Sequence, residues 1–183
     1  MAVSEARIAN TDDGTVVESE GWFVLNAAEA RWMRMWTRNE PAGDWLDFEA
    51  AEAPFAEYGI NIHVLRPGQP NGLYHAESAQ EDFLVLSGEC ICLIEGEERH
   101  LKAWDFVHCP PGTHHIFIGA GDGPCAILMA GARPEGNTPH YPADELAAKH
   151  GASAPEETDS PDEAYSEWQR EYKPVRADWP PSA

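Results

Sequence analysis

The sequence predicts an all-β protein whose short antiparallel strands close into a barrel or a sandwich. Fifteen glycines and fifteen prolines among 183 residues indicate many turns, which favours strands over a helical bundle. Between about residues 57 and 132, short apolar runs alternate with Gly, Pro, Asn and Asp, as expected for a strand meander. The length suits one domain with its own hydrophobic core.

The predicted strands follow one another closely along this central stretch. Glu95-Gly96 and Asp122-Gly123 interrupt the apolar pattern and predict hairpin turns, because these dipeptides tolerate the backbone angles that tight turns need. The apolar runs are INIHVL, DFLVLSG, CICLIEG, FVHC, IFIG and CAILMAGA.

The two ends of the chain differ in character from this barrel, which we place at residues 57–135. Residues 1–56 carry four tryptophans among charged residues, so we expect an N-terminal extension that packs on the barrel. Within it GWFVLN predicts a short strand. Residues 27–36 fit neither the helical nor the strand period, which leaves helix and extended chain open.

Residues 136–183 predict an acidic, Pro-rich C-terminal extension with one short helix. The stretch from residue 150 to 161 is rich in Ala, Ser, Pro and acidic residues and predicts a flexible linker. Ser160-Pro161 followed by Glu163 is typical of a helix start, and the helix is expected to run to about Tyr172.

The charge excludes several partners. Thirty-two acidic residues oppose twelve basic ones, which gives a formal charge of -20 and repels both nucleic acid and anionic membranes. We see neither an apolar leader nor an apolar stretch of membrane-spanning length. The four cysteines lack a CxxC spacing and predict buried, reduced thiols, so we expect a cytoplasmic protein.

Candidate chemistry lies in two segments of the barrel. His75 and Glu77 share one face of an extended chain, and Glu81 begins a run whose Phe83 lies on its own face. An inward carboxylate on an apolar face is unfavourable unless it is paired or bound to a metal. His115 follows a rigid Pro-Pro-Gly turn and begins another apolar run.

These residues resemble the two motifs of the cupin superfamily. The first, HxE-x3-E-x6-G, runs from His75 to Gly88, and the second, PxGxxH, runs from Pro110 to His115. The resemblance covers about residues 60–132 and implies a cupin-type antiparallel β-barrel, also called a double-stranded jelly roll. It also implies a metal site at His75, Glu77, Glu81 and His115, with Glu77 at the position where the family usually has a second His.

The resemblance implies a divalent metal ion as the cofactor but leaves its identity open. Two imidazoles with two carboxylates suit Mn, Fe, Zn or Ni. His108 and Tyr74 are candidates for moving a proton at the site. By the strand period His108 shares a face with Phe106, so we expect it to point into the barrel, where a buried structural role is the alternative. For Tyr74 the alternative is a packing role.

Two functions compete at this point. One is a metal-dependent enzyme, an oxygenase or an isomerase, that acts on a small organic substrate. The other is a non-catalytic module that binds a small molecule as a sensor or scaffold, without a DNA-binding domain. We expect a homodimer, because barrel edges of this kind commonly pair across a two-fold axis.

Overall fold

The computed structural model describes residues 2–37, 40–168 and 170–176. Within these ranges nearly all regular structure is antiparallel strand, which confirms the predicted all-β class. In chain order the strands are β1 (Ile8–Thr11), β2 (Gly14–Val17), β3 (Trp32–Thr37), β4 (Glu40–Asp47), β5 (Tyr58–Leu65), β6 (Ala76–Glu77), β7 (Glu81–Ser87), β8 (Glu89–Ile94), β9 (Glu97–Lys102), β10 (Phe106–Cys109), β11 (His115–Ala120), β12 (Cys125–Ala132), β13 (Pro139–His140) and β14 (Arg170–Val175). Two short helices, α1 (Glu145–Lys149) and α2 (Pro161–Ala164), lie between β13 and β14.

Two main sheets face each other in a jelly-roll arrangement. The larger has seven strands in the order β10-β7-β12-β5-β4-β3-β14, and the smaller has three in the order β11-β8-β9. β1 pairs with β2, and β13 pairs with β6. β3, β4 and β14 extend the larger sheet beyond the central motif, so segments from both ends of the chain contribute strands to it.

The main core fills the space between the two sheets. Phe83 and Val85 of β7, Phe117 of β11 and Ile127 of β12 are buried there, and all four cysteines surround them as free thiols. Their burial agrees with the predicted reduced thiols. Alternate residues of each strand supply this core, as period-2 structure requires.

β5 has an apolar residue on both of its faces. Ile62 and Val64 pack with Trp32 and Leu46 on one side of the larger sheet. His63 and Leu65 point to the other side, toward the interior between the sheets. This alternation places His63 inside the molecule.

The C-terminal segment covers the outer face of the smaller sheet. Ile116 and Ile118 of β11 point away from the main core, yet they are buried against Ala147 of α1 and Ala152. Ala154 is also buried in a neighbouring cluster. The prediction of a flexible linker at residues 150–161 is therefore wrong: Ala152 packs on the apolar outer face of β11, and Ala154 packs with Leu73 and Tyr141.

Other local predictions had mixed outcomes. The turn at Glu95-Gly96 joins β8 to β9 with φ of 48° and 77°, which confirms that hairpin. Asp122-Gly123 does not form one, because β11 and β12 pair with strands of different sheets. GWFVLN forms no regular strand, and residues 32–37 are extended as β3 rather than helical.

The predicted helix start at Ser160 is confirmed, but its predicted end is wrong. The Ser160 hydroxyl accepts a hydrogen bond from the Glu163 amide, and Pro161 opens α2. The helix ends at Ala164 rather than near Tyr172, because residues 170–175 pair with β3 as a strand. Residues 177–183 of the predicted C-terminal extension lie outside the described chain.

Both helices of the described chain are short, at five and four residues. Neither reaches the length or apolar character that a helix needs to cross a bilayer.

Gly88 and Gly96 offer a matched test of backbone packing. Both have positive φ, 74° and 77°, but a Cβ at Gly88 would overlap the carbonyl oxygen of Pro124, whereas one at Gly96 meets open space. We expect Gly96→Ala to cost about 1–2 kcal/mol from backbone strain alone. Gly88→Ala should cost at least about 1 kcal/mol more because of the clash. Urea unfolding of both variants measures the difference; equal losses would contradict it.

Candidate metal centre

The backbone holds His75 and His115 directly side by side. The His75 amide donates to the His115 carbonyl at 3.2 Å, and the His115 amide donates to the His75 carbonyl at 2.8 Å. Residues that oppose each other in this way have Cβ atoms on the same side of the sheet. The two imidazole centroids lie 5.3 Å apart.

The Pro-Pro-Gly turn positions this bridge. Gly112, with φ of 85°, donates its amide to the Glu77 carbonyl at 2.7 Å. That bond ties the turn before His115 to the strand that follows His75. A glycine suits the position because its positive φ strains other residues.

Each imidazole is oriented by a backbone carbonyl. Nδ1 of His75 lies 2.7 Å from the Leu73 carbonyl oxygen, and Nδ1 of His115 lies 3.0 Å from that of Thr113. A carbonyl only accepts, so each Nδ1 carries the proton and donates it. The Nε2 atoms are left with free lone pairs, which is the orientation seen for metal-bound histidines.

Glu81 brings a carboxylate to these nitrogen atoms. It is the first residue of β7, two positions before the buried Phe83 on the same face. Its Oε2 lies 3.5 Å from Nε2 of His115. One ligand atom from each of His75, Glu81 and His115 lies within 4.8 Å of the others. The structure thus brings three of the four predicted ligands together.

When no cation is present, burial favours the uncharged form of all three groups. It lowers the pKa of His115 to about 4, with a smaller effect from His75, and it also lowers the pKa of His75. Burial, followed by the negative charge of Glu77, raises the pKa of Glu81 to about 7. Histidine binds a metal ion through its neutral imidazole. A divalent cation would also stabilise the ionised form of Glu81, which burial disfavours.

The raised pKa of Glu81 predicts a pH effect on the metal-free protein. An acid whose pKa rises from 4.5 to about 7 on folding contributes stability that is present below pH 4.5 and is lost as the pH rises through 7. Compared with Glu81→Gln, which cannot ionise, the metal-free wild type should therefore lose on the order of 1–3 kcal/mol between pH 5 and pH 8. Urea unfolding in EDTA measures it. A constant difference across this range would contradict the prediction.

The residues present fit a divalent metal ion. Two Nε2 lone pairs and one carboxylate face the same point, and the proton on each Nδ1 has its own acceptor. The donor set of two imidazoles and a carboxylate suits Mn, Fe, Zn or Ni. We therefore take His75, Glu81 and His115 as the candidate ligands.

Glu77 lies beside this group without being one of its three members. Its Oε1 is 3.8 Å from Nε2 of His75, and its Oε2 accepts a hydrogen bond from Nδ2 of Asn137 at 2.9 Å. Its predicted role as a fourth ligand stays a prediction.

The predicted inward orientation of His108 is wrong. β10 pairs with β7 so that Val107 opposes the inward Phe83, which places His108 beside Asp82 on the outer face. The His108 ring is exposed, and its Nδ1 lies 2.7 Å from Oδ1 of Asp82. A shift of one residue in strand pairing exchanges the inner and outer faces of a strand. The register of the edge strand β10 against β7 places His108 on the outer face, away from the cavity. The geometry gives no support to its predicted catalytic role.

Tyr74 also points away from the candidate ligands. Its ring is buried against Leu93 and Ile116 on the outer side of the smaller sheet. Its hydroxyl accepts a hydrogen bond from the Gly96 amide at 3.0 Å. Because neighbouring residues of an extended chain alternate in direction, His75 faces inward and Tyr74 does not. These contacts agree with the packing alternative rather than with proton transfer.

The candidate ligands line an interior cavity of about 240 Å³. Sequence reasoning missed three residues beside them. Asn137 fixes Glu77, Tyr141 stacks on His75 with ring centroids 5.3 Å apart, and Asn61 lines the cavity with a buried Oδ1 that has no hydrogen-bond partner. No motif spacing connects these residues to the histidines, because tertiary packing alone brings them close.

The fold and the site define a cupin-type jelly roll. A family model, described as the cupin domain, matches residues 61–131 and covers both motifs. Residues 61–131 are therefore identified as a cupin domain. None of the curated proteins compared with the chain matches it.

The chain is also similar to several solved structures. A cupin-superfamily sugar phosphate isomerase from Silicibacter pomeroyi is 24% identical, with a TM-score of 0.50 over 57% of this chain and 68% of its own. A proposed sugar phosphate isomerase from Acidithiobacillus ferrooxidans is 22% identical, with a TM-score of 0.48 over 55% of this chain and 66% of its own. A cupin protein from Bacteroides fragilis is 20% identical, with a TM-score of 0.45 over 50% of this chain and 78% of its own. The similarity to the Silicibacter pomeroyi structure, at 24% identity, shows the fold alone.

Proposed function

We propose that this protein binds a divalent metal ion at His75, Glu81 and His115 and uses it to bind and act on a small oxygen-bearing organic molecule. The observation that carries the proposal is the convergence of two backbone-oriented imidazoles and one partly buried carboxylate within 4.8 Å. Without a cation, ionisation of Glu81 in this partly buried site is unfavourable, and a divalent cation beside the two Nε2 lone pairs would stabilise its carboxylate.

The surrounding residues support a small ligand. The cavity of about 240 Å³ is below the usual range for drug-sized ligands. A bound metal would supply Lewis-acid polarisation of a ligand oxygen. The unpaired Oδ1 of Asn61 would accept a hydrogen bond from a hydroxyl or an N–H of the ligand.

Glu77 is the chain's own candidate for holding a proton. Asn137 donates a hydrogen bond to its Oε2, and its Oε1 lies 3.8 Å from Nε2 of His75. Both Glu77 and His75 line the cavity. A carboxylate so placed can accept a proton from a ligand atom beside it. Arg133 also lines the cavity. Its guanidinium donates hydrogen bonds to both carboxylate oxygens of Glu49, so it pairs with Glu49 rather than with Glu77.

Metal uptake tests the proposal. We expect protein purified without a metal-affinity tag, or reloaded after chelation, to hold about one metal ion per chain. At a free metal concentration 100-fold above Kd, the gain in unfolding free energy should be about 2.7 kcal/mol. Elemental analysis and thermal unfolding with Mn, Fe, Zn and Ni measure both. Less than about a tenth of an equivalent, with no stabilisation by any of the four, would overturn it.

A further inference from the structure

A second, partly open cavity lies beside the cavity that the candidate ligands line (the metal cavity), and the proposed function makes no use of it. Its volume is about 160 Å³, and five ring-bearing side chains line it: Trp45, His63, Tyr165, Trp168 and Tyr172. None of its lining residues is acidic or carries a permanent positive charge. Burial lowers the pKa of His63 to about 4, so its imidazole is neutral near pH 7 and offers hydrogen bonds rather than charge.

The walls of this cavity come mostly from outside the cupin domain. Trp45 belongs to β4 and Tyr172 to β14, and their rings meet edge to face with centroids 5.2 Å apart. Tyr165 and Trp168 follow α2, and their centroids lie 5.3 Å apart. The two ends of the chain thus build an aromatic cavity onto one side of the barrel.

The two cavities are neighbours along one strand. The inward face of β5 gives Gly59 and Asn61 to the metal cavity and His63 and Leu65 to the aromatic cavity. Residues two apart on a strand lie about 7 Å from each other, so a short chain of bonds spans the step between the cavities.

Asn71 belongs to the lining of both cavities. Its Oδ1 accepts the Phe117 amide at 3.0 Å, which fixes the side chain at this boundary. The two cavities therefore share one wall.

The size and the lining of the aromatic cavity favour one flat ring. A volume of about 150 Å³ is enough to hold a benzene ring. Aromatic rings attract one another in edge-to-face and offset geometries, which the side chains at this site already adopt among themselves. Without a positively charged residue in its walls, the cavity offers no partner for a phosphate group.

We propose that the aromatic cavity receives a planar ring of the same ligand whose oxygen group is bound at His75, Glu81 and His115. The substrate class is then a small aryl-bearing acid or ketone with a few bonds between ring and oxygen. The inference rests on the proposed function for the metal-bound end of the ligand, whereas recognition of the ring rests on the aromatic cavity alone.

Calorimetric titration of Mn(II)-loaded and metal-free protein with two probes tests the proposal. Hydrocinnamate carries a phenyl ring two carbons from its carboxylate, and propanoate lacks the ring. We expect hydrocinnamate to bind the Mn(II)-loaded protein at least about tenfold more tightly than propanoate. Trp45→Leu and Tyr172→Leu should each lose most of this advantage. The matched control Trp104→Leu, whose side chain is 75% exposed, should keep it.

The outcomes separate this inference from the proposed function. The inference is overturned if hydrocinnamate and propanoate bind equally well, or if Trp45→Leu and Tyr172→Leu both keep the preference for hydrocinnamate. The proposed function still stands in that case, provided that the protein takes up Mn(II). If the protein takes up no Mn(II) and hydrocinnamate binding still depends on Trp45, the proposed function fails and the assignment of the ring site stands.

Discussion

Replacing Glu81 with Gln is expected to lower metal affinity by more than about 100-fold, because even loss of a group that only supports a ligand typically costs 10–100-fold. The substitution keeps the size of the side chain and removes the only carboxylate of the three-residue group. Its neutral amide leaves a divalent cation with two imidazoles and no charge to balance it. Competition with a chromophoric chelator and elemental analysis measure the change.

Asp82→Asn is the matched control for this experiment. Asp82 is the next residue in the chain, and its carboxylate points to the outer face, where it contacts His108. Asp82→Asn removes one negative charge, as Glu81→Gln does, at the neighbouring residue, and it should leave the metal content unchanged. If Glu81→Gln held metal as well as the wild type, Glu81 would not be a ligand.

Glu77→Gln completes the comparison. A loss similar to that of Glu81→Gln would assign Glu77 as the fourth ligand that the motif implies. A loss below about tenfold would place it outside the metal's own ligands, in agreement with its hydrogen bond to Asn137. The metal-free unfolding curves of the three variants show whether each protein is folded.

Trp32→Ala is expected to cost about 3–5 kcal/mol of unfolding free energy, the largest stability effect that we predict. Trp32 is fully buried against Ile62, Val64 and Ala126 on the outer side of the larger sheet. Its Nε1 donates to the Ala27 carbonyl at 2.9 Å. Replacement by Ala leaves a cavity and an unpaired carbonyl between β3 and the barrel strands.

The result reports whether residues 1–56 are part of the folded unit. In a chain of this size the loss should lower the melting temperature by about 10 °C. Trp22→Ala, at a side chain that is 53% exposed, is the control and should change stability by less than about 0.5 kcal/mol. Equal melting temperatures for Trp32→Ala and the wild type would show that this segment contributes little to the fold.

Local patterns in the sequence were sufficient to predict many of the barrel strands and part of the candidate metal site. The face that Glu81 shares with Phe83 and Val85 follows from a period of two, and the structure keeps all three on the inward side. The start of α2 at Ser160 depends only on a few neighbouring residues, which is why it could be predicted. The spacing of the two motifs also identified the three residues that converge.

Long-range register was beyond the reach of those patterns. His108 was predicted on the wrong face because FVHC can be placed in two phases, and only its pairing with β7 selects one. The stretch around Ala152 and Ala154 has the composition of a linker, yet Ala152 packs on the outer face of β11 and Ala154 packs with Leu73 and Tyr141. Composition describes what a segment can bury by itself and says nothing of the surface that it meets.

The sequence by itself determined the β-barrel, the inward carboxylate at Glu81 and the two histidines beside it, because periodicity and motif spacing act within short stretches of chain. Only the tertiary structure decided that Asn137 and Tyr141 join the site, that Asn61 presents an unpaired oxygen to the cavity, and that both ends of the chain build an aromatic cavity next to the metal centre. The physical reason is that these contacts join residues far apart in the chain, where pairing register and the packing of sheet faces set the distances.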